Sequence, residues 1–414
     1  MKKFSLLISI SIFISSIICQ NQIKDNFQFG ADQLLTENLH LVKNKKLGIV
    51  ANHTAVLSNG VHLVDTLHSI KEVEITALFG PEHGIRGDNS AGDIIDDGVD
   101  SKTGIPIYSL YGKERKPTKE MLKDIEVLIF DIQDVGARFY TYISTLFYVV
   151  QAATENNILL IVLDRPNPIN GIYVDGPLRK PELNSFVGIA PLPITHGMTI
   201  GELAKYFVGE KLIGENLKVD LQIIKMKNWD RNLFYDQLNA DWIKPSPNIS
   251  SLDAAIVYPG TCLIEGTNIS EGRGTDSPFL TIGAPFINSG ELIEKLGKQN
   301  VKGIALEPIS FTPIEIHAVV SNPKYKNEKC NGIKIKITDR HKFESVKFGI
   351  RLIAALHKFY PNKFKFRDDS FDRLAGDKSV RQKIIEGISG EEIIKSYQNE
   401  LNDFKEIRKK YLLY

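Results

Sequence analysis

Glu82 and His83 lie between Pro81 and Gly84 in the segment Gly80-Pro81-Glu82-His83-Gly84-Ile85-Arg86-Gly87. A carboxyl group on a turn stiffened by proline and opened by glycine suits general acid catalysis, provided partial enclosure raises its pKa. The competing reading is a loop carboxylate that caps a helix or pairs with Arg86. His83 and His53 could orient the acid, bind substrate or hold a metal. The chain has nine histidines, but none form a His-Glu-x-x-His pair or a close cluster, so metal binding is the weaker reading and no metal is assigned. His196, in Thr195-His196-Gly197-Met198-Thr199, precedes a helix start and reads as a further site residue.

Two other segments carry chemistry. Asp131, Gln133, Asp134 and Arg138 crowd behind an apolar run, where an aspartate either caps the following turn or serves a site. Arg138 suits a carboxylate in bidentate geometry, whether that of a neighbouring aspartate or of a substrate. Tyr140 and Tyr142 offer a stacking face for a sugar, or else begin the core of a helix. The run from Glu265 to Phe279 sets Glu265, Asn268, Glu271, Arg273 and Thr275 among glycines, between flanks that read as ordered. It is expected to form a second wall of a cleft rather than a solvated loop.

These residues need elements to position them. Lys46–Ala51, Val73–Phe79, Val127–Asp131 and Leu159–Asp164 are short apolar runs of the kind parallel strands show when both faces are covered. Thr141–Glu155 is long enough for a crossover helix, and the order implies a doubly wound α/β sheet. Ligands bind such sheets outside the carboxyl ends of the strands. The four strand ends lead into Asn52-His53-Thr54, Glu82-His83, Asp131 to Arg138, and Asp164-Arg165-Pro166-Asn167, so one cleft should collect them. Thr199 with Glu202 predicts a capped helix start. Asp253–Tyr258 reads as another strand. Gly332–Thr338 reads as a strand, and Val346–Lys358, Val380–Glu386 and Glu391–Phe404 as helices, giving a smaller α+β C-terminal domain. The expected division is 1–19, 20–255 and 256–414, with the active cleft between the last two parts.

The chain has 414 residues, 43% of them hydrophobic, and a formal net charge of +1. That balance argues against nucleic-acid binding. Lys2 and Lys3 followed by the uncharged run Phe4–Ile18 predict a secretory signal peptide and therefore export to the periplasm or the extracellular space. Cys19 stands where a lipid-anchored cysteine would, although Ile18 before it is larger than such sites favour. No later run is apolar enough to span a bilayer. Export permits a disulfide between Cys262 and Cys330, and two buried thiols are the alternative. A dinucleotide fingerprint, a phosphate-binding loop and a Gly-x-Ser-x-Gly elbow are all missing, so no cofactor is assigned. What remains is carboxylate, histidine, arginine and tyrosine chemistry, which fits glycoside hydrolysis.

The motifs sharpen this. Gly80 to Gly87, Asp131 to Tyr142, Asp164 to Pro168, Pro245-Ser246-Pro247-Asn248, Tyr258-Pro259-Gly260, Glu265-Gly266-Thr267-Asn268, Ser270 to Thr275 and the ending Tyr411-Leu412-Leu413-Tyr414 together resemble the exo-β-N-acetylmuramidase family. The resemblance implies a Rossmann-like, mostly parallel sheet, a smaller C-terminal domain and a cleft between them. It implies release of N-acetylmuramic acid from the non-reducing ends of peptidoglycan fragments, with Glu82 catalytic. On that basis Glu265, Glu271 or Asp131 would help activate water or orient the substrate's acetamido group, with His83 beside the acid. Arg138, Arg165 or Arg273 would meet the lactyl carboxylate. Asn52, His53, Gln133, Tyr140, Asn167, His196 and Asn268 complete the expected substrate contacts. The rival readings are a non-catalytic module for cell-wall sugars and a metal-dependent amidohydrolase.

Overall fold

Apolar runs in this chain become central strands because both of their faces are buried. The computed structural model describes residues 27–87, 96–215, 217–297 and 301–414, so the expected signal segment and Cys19 lie outside the described residues. Seven strands form the main sheet: β1 (Lys46–Ala51), β2 (Glu74–Gly80), β3 (Gly98–Val99), β4 (Pro106–Ser109), β5 (Val127–Asp131), β6 (Leu159–Leu163) and β7 (Leu221–Ile224). Their order is β3-β4-β2-β1-β5-β6-β7, and every neighbouring pair is parallel except β3 and β4. Within β5, Val127 and Ile129 enter the core on one face, Leu128 and Phe130 the core on the other. Helices α1 (Gly30–Thr36) and α2 (Leu63–His68) cover the first face. Helices α3 (Tyr142–Glu155) and α4 (Ile200–Gly209) cover the second. The expected capping box is present at the start of α4, where Thr199 and Glu202 satisfy each other's backbone amides.

The chain runs outward from β1 through β2 to β4, then returns to β5 on the other side of β1. The boundary between β1 and β5 is therefore the switch point, where a crevice opens beyond the strand ends.

The run Asp253–Tyr258 is not a strand. It lies within helix α5 (Leu252–Thr261), whose first turn is capped by Ser251 accepting from the Ala254 amide. A short apolar run has no period that separates a buried strand from a buried helix, and here the cap decides. Beyond α5, β8 (Thr281–Ala284), β9 (Ile304–Phe311) and β10 (Cys330–Ile337) form an antiparallel sheet in the order β8-β10-β9. Helices α6 (Ser289–Gly297), α7 (Ser345–Phe359), α8 (Asp368–Ala375), α9 (Lys378–Ile385), α10 (Gly390–Ser396) and α11 (Gln398–Lys409) complete this smaller domain. The helix expected over Glu391–Phe404 is two helices, α10 and α11, because Tyr397 turns inward and its hydroxyl donates to Asp175. Helices α5 and α7 cross so closely that a Cβ on Gly260 would lie 1.8 Å from the Ser345 carbonyl oxygen.

One hydrophobic core runs from the α3 and α4 face of the main sheet into the C-terminal domain. The chain end returns across it: the Tyr414 hydroxyl donates to Asp164 at the tip of β6, and the Leu413 amide donates to Glu202. Cys262 and Cys330 are both buried and unbonded. Among the described residues, no helix is long and apolar enough to cross a membrane.

Candidate active site

The tip of β2 doubles back at once. The Gly84 amide donates to the Pro81 carbonyl across 2.9 Å, and His83, third in this turn, takes a φ of 74°. A left-handed third position is what a type II turn requires, and a non-glycine residue holds it at a cost of about 1–2 kcal/mol. The turn buries His83 and leaves Glu82 partly exposed.

Glu82 is met from two sides. The Thr141 hydroxyl, at the start of α3, donates to Glu82 Oε2 across 2.8 Å. The Tyr111 hydroxyl, in the loop after β4, also hydrogen-bonds the Glu82 carboxylate; burial first, and then that carboxylate, push the Tyr111 phenol well up. Neither residue stands out in the sequence, although Thr141 belongs to the motif after β5. Arg86 is not the partner of Glu82. It makes a bidentate pair with Asp100 and a further bond to Asp65, and Arg86 holds the Asp100 carboxyl down at about 2.

The switch-point side is built from β1 and β5. Asn52 Oδ1 accepts from the Thr54 amide and hydroxyl, and Thr54 Oγ1 accepts from the Gln133 amide, so the two strand ends are tied together. Gln133 donates to the carbonyls of Asp134 and Pro166, leaving its Oε1 buried without a partner. Asp134 accepts from the Gly136 amide through Oδ2, and burial lifts its carboxyl to about 7. Tyr140 and Tyr142 meet edge to face at 4.9 Å. Burial chiefly, with the Glu82 charge contributing, keeps both phenols protonated far above their usual range. Tyr142 donates to the Pro245 carbonyl and the His53 ring contacts the Lys244 carbonyl at 2.8 Å, which brings the Pro245–Asn248 segment over this end.

The glutamate-rich loop connects to this end through a chain of aromatic contacts. Tyr140 packs on Tyr258 at 5.9 Å, Tyr258 on Phe279 at 4.8 Å, and Arg273 lies over the Phe279 ring at 5.2 Å. Arg273 binds Glu265 at 2.7 Å and approaches Glu271 at 3.5 Å, while Lys324 reaches Glu271 at 3.0 Å. Lys324 also donates to the carbonyls of Ile264 and Ile269, which fixes the loop's path.

Several expected site residues lie elsewhere or are already engaged. Asp131 and Arg165 form a fully buried bidentate pair at 2.5 and 2.9 Å, with Arg165 also bonded to the Val56 carbonyl and stacked on Phe29. Buried Arg138 donates to the carbonyls of Pro177, Leu192 and Leu374, stitching the two domains. Neither arginine is placed to receive a substrate carboxylate. Asn167 shapes its own turn and donates to the Met198 carbonyl. Asn268 clamps the backbone of Lys363 and Lys365. His196 is buried, accepts from the Met198 amide, and burial drives its pKa down to about 3, so it is neutral and away from solvent. Among the described residues, no three His, Cys, Asp or Glu side chains group as metal ligands.

Known proteins show the same plan. Residues 47–253 match the N-terminal domain, and residues 256–414 the C-terminal domain, of exo-beta-N-acetylmuramidase NamZ. The peptidoglycan beta-N-acetylmuramidase NamZ of Bacillus subtilis (strain 168) is 47% identical over 392 residues, spanning 94% of this chain and 92% of that protein. Two DUF1343 family proteins of Bacteroides fragilis share the architecture, one with TM-score 0.86 at 33% identity and one with TM-score 0.75 at 35%. Each alignment covers 94% of this chain and 99% of its counterpart.

Proposed function

The chain belongs to the exo-β-N-acetylmuramidase NamZ family, and from that premise we propose that it hydrolyses terminal, non-reducing N-acetylmuramic acid from peptidoglycan fragments, in cell-wall turnover. One observation carries the mechanism: a carboxylate at a strand tip, held by Thr141 and Tyr111 beside the switch point of the sheet. Glu82 is the general acid that protonates the departing glycosidic oxygen. Asp131 is locked to Arg165, and both Glu265 and Glu271 face Arg273. The substrate's own 2-acetamido oxygen then fits the role of nucleophile at C1. The C1–oxygen bond breaks as the acetamido ring closes, and the proton passes from Glu82 to the leaving sugar. In the second half Glu82 takes a proton from water as that water opens the ring. We assign Asp134, buried near Tyr140 with Oδ1 unpartnered, to steady the acetamido N–H.

Arg273 is the partner for the lactyl carboxylate. It is the one of the three expected arginines that keeps exposed surface, at 22%. The basic start and apolar run at the N-terminus support export to the compartment where peptidoglycan lies. The test is Glu82→Gln assayed on the disaccharide N-acetylmuramyl-β-1,4-N-acetylglucosamine. Turnover should fall by at least about 10³-fold with the fold intact. Near-native turnover would remove Glu82 from the mechanism, and binding without turnover by the unaltered protein would favour the sugar-binding module.

A further inference from the structure

An exo-acting site has a closed end for the terminal sugar and an open end for the rest of the chain. Here the buried polar atoms of Gln133 and Asp134 and the Tyr140–Tyr142 pair are the groups we assign to the closed end. Glu82 is also bordered by aromatic rings through its Tyr111 partner. The Tyr111 ring, whose hydroxyl holds Glu82, lies 6.1 Å from the Phe186 ring. Phe186 in turn stacks on Tyr148 at 6.3 Å with only 13° between the planes. All three rings are half-buried.

This patch is held in place rather than incidental. Phe186 sits at the tip of a tight turn in which Ser185 and Gly188 exchange backbone hydrogen bonds. Its carbonyl accepts from the Ser144 hydroxyl across 2.6 Å. Thr141, Ser144 and Tyr148 follow one another along one face at the start of α3, three and then four residues apart. The same helix face that fixes Glu82 therefore also fixes the rings. Arg115 lies over Phe186 at 4.6 Å, is exposed, and forms no ion pair among the described residues. Such an exposed cation–π contact is weak enough to exchange for an arriving ligand.

We propose that Tyr111, Phe186 and Tyr148 form the leaving-group subsite, on which the departing N-acetylglucosamine stacks, and that Arg115 moves off Phe186 to pair with the lactyl carboxylate of the next muramyl residue. The apolar face of a pyranose matches a half-buried aromatic ring, and the guanidinium matches a carboxylate. This inference rests on the muramidase reading of the same cleft.

The experiment compares three substrates with the full chain: methyl β-N-acetylmuramide, the disaccharide, and the tetrasaccharide carrying a second muramyl residue. Phe186→Ala should lower kcat/KM on the disaccharide by about tenfold while leaving the methyl glycoside within about twofold. Arg115→Gln should lower only the tetrasaccharide value, and the difference should shrink in high salt. Chitobiose should inhibit methyl glycoside hydrolysis by the unaltered protein and inhibit the Phe186→Ala protein several-fold less. Should Phe186→Ala fold poorly, Phe186→Leu takes its place, since it keeps apolar bulk and removes the flat face. Equal losses on all three substrates, or no loss on any, would overturn the subsite. A failure of the unaltered protein to cleave any muramyl substrate is a different result, and it would overturn the muramidase reading itself.

Discussion

The Thr141 hydroxyl donates to Glu82 across 2.8 Å, joining the residue that opens α3 to the turn that ends β2. The bond fixes one oxygen of the proposed acid by way of a helix anchored in the core. Thr141→Val keeps the shape and removes the donor. Losing that anchor lets the acid drift from the glycosidic oxygen, so kcat on the disaccharide should fall roughly 10- to 100-fold with KM little changed. A rise in KM with unchanged kcat would show that Thr141 contacts substrate instead.

Arg273 offers a test of substrate recognition. Arg273→Ala should raise KM for N-acetylmuramyl substrates by roughly 10- to 30-fold through loss of a charge-assisted partner. It should have much less effect on a substrate whose lactyl group is methyl-esterified. If both substrates suffer alike, Arg273 acts by holding Glu265 and Glu271 in place, and the carboxylate lies elsewhere.

The Asp131–Arg165 pair makes the opposite kind of prediction. Both side chains are almost completely buried, at 0% and 1% exposure. Asp131→Asn or Arg165→Met alone leaves a buried charge without its partner and should cost about 3–5 kcal/mol of stability, read as a fall in Tm. The double variant Asp131→Leu with Arg165→Met should recover much of that loss. If Asp131→Asn instead kept the Tm and abolished turnover, Asp131 would belong to the chemistry.

Asp164 links pH to the chain end. Burial, then the neighbouring Glu202 charge, raises its carboxyl to about 7, while Thr199, Gly201 and Tyr414 all donate to it. In the unfolded chain it titrates near about 3.9. Between these values the native state holds the extra proton, so this group's contribution is full below about pH 4 and is lost as pH rises through about 7. Asp164→Asn should flatten the dependence of Tm on pH across that window. Tyr414→Phe removes bonds to Asp164 and to the Met226 amide and should cost about 1–2 kcal/mol at any pH. An unchanged Tm in Tyr414→Phe would show that the chain end is held without its hydroxyl, by ring packing on Trp229 and the backbone bonds to Glu202 and Arg231.

The sequence by itself determined the strands that carry the site and the segments at their ends. Lys46–Ala51 and Val127–Asp131 are strands over those very residues, because a run apolar on both faces has few other stable places. The Thr199 cap was equally legible, since capping is settled within one turn of chain. The motifs also carried the family. What sequence could not supply was the use of each polar group. Asp131, Arg165 and Arg138 look like site residues in one dimension, yet their partners lie 34 to 236 positions away and bind them into the core. Asn268 is likewise taken up by a distant backbone, His196 is buried beside its own turn, and Thr141 and Tyr111 turned toward Glu82 without any local signal. Local patterns record which backbone a segment prefers. A buried polar side chain instead takes whatever hydrogen-bonding partner the completed fold brings within about 3 Å, and only the tertiary structure decides that.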